Sequence, residues 1–194
     1  MDWRLRSMRR PAINTPGEAH ALTFTCYHRY PFLTKERVCG WLADAIDKAR
    51  GRLNFRLWAY VFMPEHVHLM IWPAQPIYDI RVILQAIKQP VGRKAIAHLA
   101  RHAPHWLPRL SVQCHGRIRR LLWQPGGGFD SNQSEPCAIL SMIDYFHANP
   151  VRRQLVGRPE DWRWSSAGWH EDKNSLRPDP VDFGGLTGFF RGHE

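Results

Sequence analysis

Acidic residues are scarce in this chain. Its 194 residues hold 17 Asp and Glu against 27 Lys and Arg, a formal net charge of +10. Such a balance points to nucleic acid, the alternative being a basic protein whose charge has no specific target, and the preference for Arg over Lys suits bidentate phosphate and base contacts. Cysteine is also sparse. Cys26, Cys39, Cys114 and Cys137 are scattered, without a C-x-x-C pair. That excludes a zinc ribbon or a dithiol redox motif and makes free thiols in a reducing compartment the expectation. No apolar run approaches membrane-spanning length, and the first residues lack the apolar core of a signal peptide. The expected setting is cytoplasmic, with no membrane partner. There are no internal repeats and no H-E-x-x-H motif. What the chain does have is 44% hydrophobic residues and nine Trp, enough for one domain with a real core.

The organisation predicted is a basic arm over residues 1–19, one domain over 20–169 and an extension over 170–194. A first strand is expected over Ala21–Tyr27, and a helix from Lys35 to about Arg50, capped by Thr34 and ended by Gly51. Phe55–Phe62 and His66–Trp72 read as a hairpin across Met63-Pro64-Glu65. A second helix spans about Ile77–Arg101, with a kink or a break expected at Pro90. The fourth strand is expected within Leu110–Cys114 or Arg117–Gln124, ending at Trp123. Gly126–Gly128 reads as a flexible loop. A third helix runs from Pro136 to about His147, with Asn149-Pro150 as its end. The order predicts an α+β fold: a ferredoxin-like βαββαβ antiparallel sheet with two helices on one face. The other face is left for a single strand of nucleic acid and for one more helix, the one carrying Tyr145.

On a strand, His66 and His68 point to the same face, about 6–7 Å apart along the chain, so they can converge on one divalent metal. A His-x-His pair alone is commonly incidental. Tyr145 and Asn149 lie four residues apart on the third helix and project from nearly one face. Tyr145 reads as a core aromatic or as a nucleophile, and Asn149 as a helix C-cap or as a ligand.

Together these residues resemble a known family. Met63-Pro64-Glu65-His66-Val67-His68-Leu69-Met70 is similar to the HUH motif of the single-tyrosine transposases. Tyr145-Phe-His-Ala-Asn149-Pro-Val-Arg152 is similar to the end of their tyrosine helix. Trp123-Gln124 with Gly128-Phe129-Asp130, and Pro159-Glu-Asp-Trp-Arg-Trp-Ser-Ser166, narrow the resemblance to the REP-associated tyrosine transposases. It runs from about residue 9 to 170.

The resemblance implies that His66, His68 and Asn149 hold one divalent ion, Mg²⁺ or Mn²⁺, and that Tyr145 attacks a DNA phosphate. The product would be a 5′-phosphotyrosine link and a free 3′-hydroxyl. The substrate implied is single-stranded DNA, often folded as a repetitive extragenic palindrome hairpin, and a monomer is favoured over a dimer. Candidate DNA contacts are Arg9, Arg10, Arg29, Lys88, Arg93, Arg117, Arg119, Arg120, Arg152 and Arg153, with Trp123, Tyr27 and Trp72 each read as a surface for base stacking or as a core residue. Two stretches depart from the pattern. Gly126–Gly128 loosens the loop before Phe129 and Asp130, and Leu107–Ile118 reads as an insertion. The competing readings are a non-catalytic single-strand binder, a replication-initiator or relaxase-type nuclease, and, more distantly, a zinc hydrolase.

Overall fold

A computed structural model describes residues 13–114, 116–126 and 128–171. Four antiparallel strands form the main sheet: β1 (Ala19–Thr25), β2 (Phe55–Phe62), β3 (His66–Pro73) and β6 (Phe129–Gln133), in the order β2-β3-β1-β6. Helices α1 (Glu36–Leu53) and α2 (Ile80–His102) cover one face. Helix α4 (Pro136–Arg152) packs on the other. This is the ferredoxin-like arrangement with an added helix, as expected.

Strand alternation sorts the core into two layers. Leu22, Phe24, Val67, Leu69 and Ile71 face α1 and α2, whose Leu42, Ile46, Ile83 and Ile87 fill that layer. Ala21, Met70 and Val61 face α4 and meet its Ile139, Ile143 and Phe146. Phe146 is 1% exposed, and truncating such a side chain to Ala costs about 3–5 kcal/mol. His66 and His68 share the α4 side because they alternate with Val67.

Several boundaries differ from the sequence reading. Thr34 does not cap α1. Its hydroxyl donates to the Pro31 carbonyl, and Lys35 stands at the N-cap without a side-chain bond. Gly51 lies inside α1, which ends instead at Asn54 in the left-handed region (φ 49°). Helix α2 passes through Pro90 as one element.

The fourth strand of the sheet is not the segment ending at Trp123. Leu107–Leu110 forms a short α3, and Ser111–Cys114 (β4) and Arg117–Arg120 (β5) pair only with each other, as a separate ribbon. Trp123 makes a single bridge to Cys26, and β6 takes the edge beside β1. Gly128 is what lets β6 begin there: its φ is +82°, and a Cβ at this position would collide with the Thr23 carbonyl oxygen.

Helix α4 also runs past its expected end, through Asn149 and Pro150 to Arg152. Pro150 lacks the N–H that would reach the Phe146 carbonyl. The Asn149 side-chain amide stands 3.4 Å from that oxygen and donates to the Tyr145 carbonyl at 2.8 Å. Asn149 is thus a residue inside the helix, not its C-cap.

After α4 the chain returns along β2. Trp164 accepts a hydrogen bond from the Phe62 N–H at 2.8 Å, and the Ser166 N–H donates to the Tyr60 carbonyl at 2.9 Å. The Trp-rich segment thereby covers the free edge of β2. Among the described residues the four cysteines form no disulfide, and no helix is long and apolar enough to cross a membrane.

Candidate active site around His66, His68 and Tyr145

The Met63–Glu65 turn delivers β3 with His66 at its first position and His68 two residues on. Their Nε2 atoms stand 3.0 Å apart, and the rings are edge to face with centroids 4.7 Å apart. The other nitrogen of each ring is engaged from behind. His68 Nδ1 lies 2.8 Å from Thr23 Oγ1, and His66 Nδ1 lies 3.2 Å from Glu65 Oε1. The Glu65 carboxylate can only accept, so it fixes His66 Nδ1 as the N–H and leaves the Nε2 lone pair for a ligand, and the Thr23 hydroxyl can accept from His68 Nδ1 in the same way.

Burial sets the charge state. It holds the His68 pKa down to about 3, with the neighbouring His66 adding to the effect. Burial also lowers the pKa of His66, against the opposing pull of Glu65. Both imidazoles are neutral at pH 7, the form that ligates cations. For Glu65, burial acts upward. It is outweighed by the hydrogen bond and the charge of Arg153 and by the hydrogen bond from Arg29, so the carboxyl titrates below its ordinary value.

Helix α4 brings Tyr145 over the pair. Its ring centroid is 6.3 Å from that of His68, and Tyr145 is 44% exposed. The next residue, Phe146, stacks on His68 at 4.7 Å and 19° and fixes the ring's tilt. Asn149 lies one turn further on. With its amide nitrogen committed to the Tyr145 carbonyl, the amide oxygen remains as a neutral donor for a cation. Among the described residues no three His, Cys, Asp or Glu side chains cluster. A pair of neutral imidazoles, each braced at Nδ1, with an amide one helix turn from Tyr145, fits a divalent cation.

The candidate DNA contacts separate into groups. Arg152 lies over the Tyr145 ring, Cζ 5.0 Å from its centroid. Arg29 and Arg153 both donate to Glu65 Oε1, at 3.0 and 2.9 Å, so they brace the site as well as facing solvent. Arg117, Arg119 and Arg120 are exposed on the β4–β5 ribbon. Arg93 lines a groove of about 290 Å³ between α1 and α2, on the side away from the histidines. Lys88 is turned inward. Its amine donates to the Gly126 carbonyl at 3.1 Å and lies over Phe24, and burial lowers its pKa to about 8.

Trp123 is a correction. It is 7% exposed, packs edge to face on Phe24 and donates to the Lys88 carbonyl at 2.9 Å, so it is core and offers no face to a base. Trp72 stacks on Trp58 at 5.9 Å and bonds the Gly17 carbonyl at 3.1 Å, whereas Tyr27 is half-buried beside His28. Arg9 and Arg10 lie outside the described residues. The sequence reading gave no role to Glu65 or Thr23. Glu65 could have been noticed as an acid directly before the His pair, but Thr23 becomes visible only through its pairing opposite His68.

No family model matches the chain, and no curated protein matches it. Among solved structures it is similar to a REP-associated tyrosine transposase bound to a REP hairpin, with a TM-score of 0.64, 21% identity, and coverage of 89% of this chain and 88% of that one. It is also similar to a Deinococcus radiodurans protein described as a "putative transposase", with a TM-score of 0.43, 20% identity, and coverage of 70% of this chain and 96% of that one. The chain has the fold of a REP-associated tyrosine transposase, the family that its His66-Val67-His68 and Tyr145-to-Arg152 motifs resemble.

Proposed function

We propose that this protein is a single-tyrosine HUH transposase of the REP-associated kind, a metal-dependent enzyme that nicks and rejoins single-stranded DNA at hairpins. The observation that carries the reading is the meeting of Tyr145 with a braced His pair, two rings 6.3 Å apart on elements that lie 77 residues apart in sequence. The similar solved structure is a transposase holding a REP hairpin, which supports DNA as the partner.

His66, His68 and Asn149 would hold the divalent ion, Mg²⁺ or Mn²⁺. When bound, it polarises the scissile phosphate and offsets charge gathering on its oxygens. Phe146 and Thr23 hold His68, and Glu65 holds His66, so the ligands are set before substrate arrives. The phenolic oxygen of Tyr145 loses its proton and attacks phosphorus. The bond to the 3′ oxygen breaks, and that oxygen leaves as a hydroxyl after taking up a proton. The reverse attack, by a 3′-hydroxyl on the phosphotyrosine, restores a diester and frees the phenol, so neither direction needs ATP. Arg152 places a fixed positive charge over the Tyr145 ring, Cζ 5.0 Å from its centroid. The working unit in this reading is a monomer.

The experiment is incubation of the protein with a single-stranded DNA hairpin, with and without Mg²⁺ or Mn²⁺. A covalent protein–DNA band that needs the metal is expected. The rival reading, a single-strand binder using the same sheet face, predicts binding indifferent to chelator and no band.

A further inference from the structure

From Ile80 to Phe129 the chain contains no Asp or Glu, yet it contains nine Lys and Arg. The β4–β5 ribbon lies inside this acid-free stretch and stands apart from the main sheet. All four residues of β5, Arg117, Ile118, Arg119 and Arg120, are exposed, so neither face of that strand is covered. Among the described residues no carboxylate pairs with the three arginines. A two-stranded ribbon gains little by itself in water, and this one has no core of its own.

Its root is fixed close to the catalytic end of the sheet. Leu121 N–H donates to the Leu110 carbonyl at 2.9 Å, closing the base of the ribbon. The next residues run beside β1: Tyr27 N–H donates to the Leu122 carbonyl at 2.7 Å, and Gln124 N–H to the Thr25 carbonyl at 2.8 Å. Thr25 is the strand partner of His66. Gln124 is therefore two strand spacings from His66, roughly 10 Å. Trp106, wedged against Tyr30 and Phe32 at 5.1 and 5.3 Å, and itself covered by Arg109, buttresses the same corner.

We propose that this ribbon grips the base-paired stem of the DNA hairpin while the strand to be cut lies on the His66–Tyr145 face. The proposal rests on the DNA-nicking function proposed above and adds a separate site to it. Charge selects a polyanion. The absence of Tyr, Trp and Phe from Ser111–Arg120 removes the stacking platforms that unpaired bases use. Paired DNA matches the ribbon better: a major groove about 12 Å wide admits two antiparallel strands, and Arg and Gln are the side chains that read base edges and phosphates there. Cross-strand register gives the ribbon one face with Arg117 and Arg119, and another with Arg120, Gln113 and Ile118.

The test compares the full chain with R117Q/R119Q/R120Q in chelator, on two probes of equal length: a DNA hairpin with a fully paired stem and an unpaired oligonucleotide. The hairpin should bind roughly tenfold to a hundredfold more weakly, and its log-affinity against log-salt slope should fall by about 0.9 for each arginine that sits on a phosphate. The unpaired probe should change by less than about twofold. R117K/R119K/R120K keeps the charge and should keep the salt slope. Equal losses on both probes, an unchanged hairpin affinity, or a lysine variant that loses as much slope as the glutamine variant would overturn the proposal. Metal-dependent covalent attachment of the unvaried protein is read separately. Its failure sinks the nicking function and leaves the two-probe comparison to decide the ribbon.

Discussion

Thr23 Oγ1 stands 2.8 Å from His68 Nδ1, across the β1–β3 pairing. The contact turns a buried histidine into a fixed one: with Nδ1 engaged, Nε2 is directed toward His66. Thr23→Val keeps the side-chain shape and removes the oxygen. We expect Mn²⁺ affinity, followed by calorimetric titration, to fall about 10–100-fold with the fold intact. Affinity within twofold of the parent would show that the threonine does not hold the ligand.

Glu65 is 6% exposed and accepts from His66, Arg29 and Arg153. Glu65→Gln removes the charge that three cationic or potentially cationic groups share. A loss of about 1.5–3 kcal/mol of stability is expected from the charged hydrogen bonds, read as a lower urea midpoint. No shift in the midpoint would mean that the arginines are held by solvent alone.

Two glycines should respond in opposite directions. Gly128→Ala forces a left-handed residue against the Thr23 carbonyl and should cost at least about 2 kcal/mol. Gly40, inside α1, has nothing within 4 Å of a built Cβ, so Gly40→Ala should stabilise by about 0.5–1 kcal/mol. Paired thermal melts decide the matter, and similar shifts for both would contradict the account of β6.

Lys88 gives a pH signature. Its folded pKa of about 8 lies below the ordinary 10.5 because burial disfavours the ammonium. Between those values the unfolded chain binds the extra proton, so this residue's contribution to stability rises with pH across that window. Lys88→Met should be stabilising at pH 7, lessened by loss of the Gly126 hydrogen bond, and should flatten the parent's rise between pH 8 and 10. Parent and variant melts that run parallel across that window would rule out a buried amine here.

These contacts also show which parts of the molecule were legible in sequence. Alternation through Phe55–Trp72 was enough to put His66 and His68 on one face, because a strand has only two faces. The β6 edge was not legible. Phe129-Asp-Ser-Asn-Gln133 has no apolar period, and its place is set by the close approach that Gly128 permits. Asn149-Pro150 reads as a stop because proline removes a helical N–H. The Asn149 side chain meets the orphaned carbonyl, a tertiary detail that propensity does not carry. Glu65 and Thr23 were missed because their roles depend on partners across strands and loops, and Trp123 was misplaced because aromatic content alone does not distinguish core from platform.

The central claim is that Tyr145 is the nucleophile served by the His66–His68 pair. The most direct measurement is covalent attachment to a single-stranded DNA hairpin with Mn²⁺, comparing the parent with Tyr145→Phe. The account predicts a metal-dependent covalent band for the parent, none for Tyr145→Phe, and hairpin binding within about threefold for both, since one hydroxyl is a small part of a phosphate-dominated interface. A Phe variant that still forms the band would contradict it.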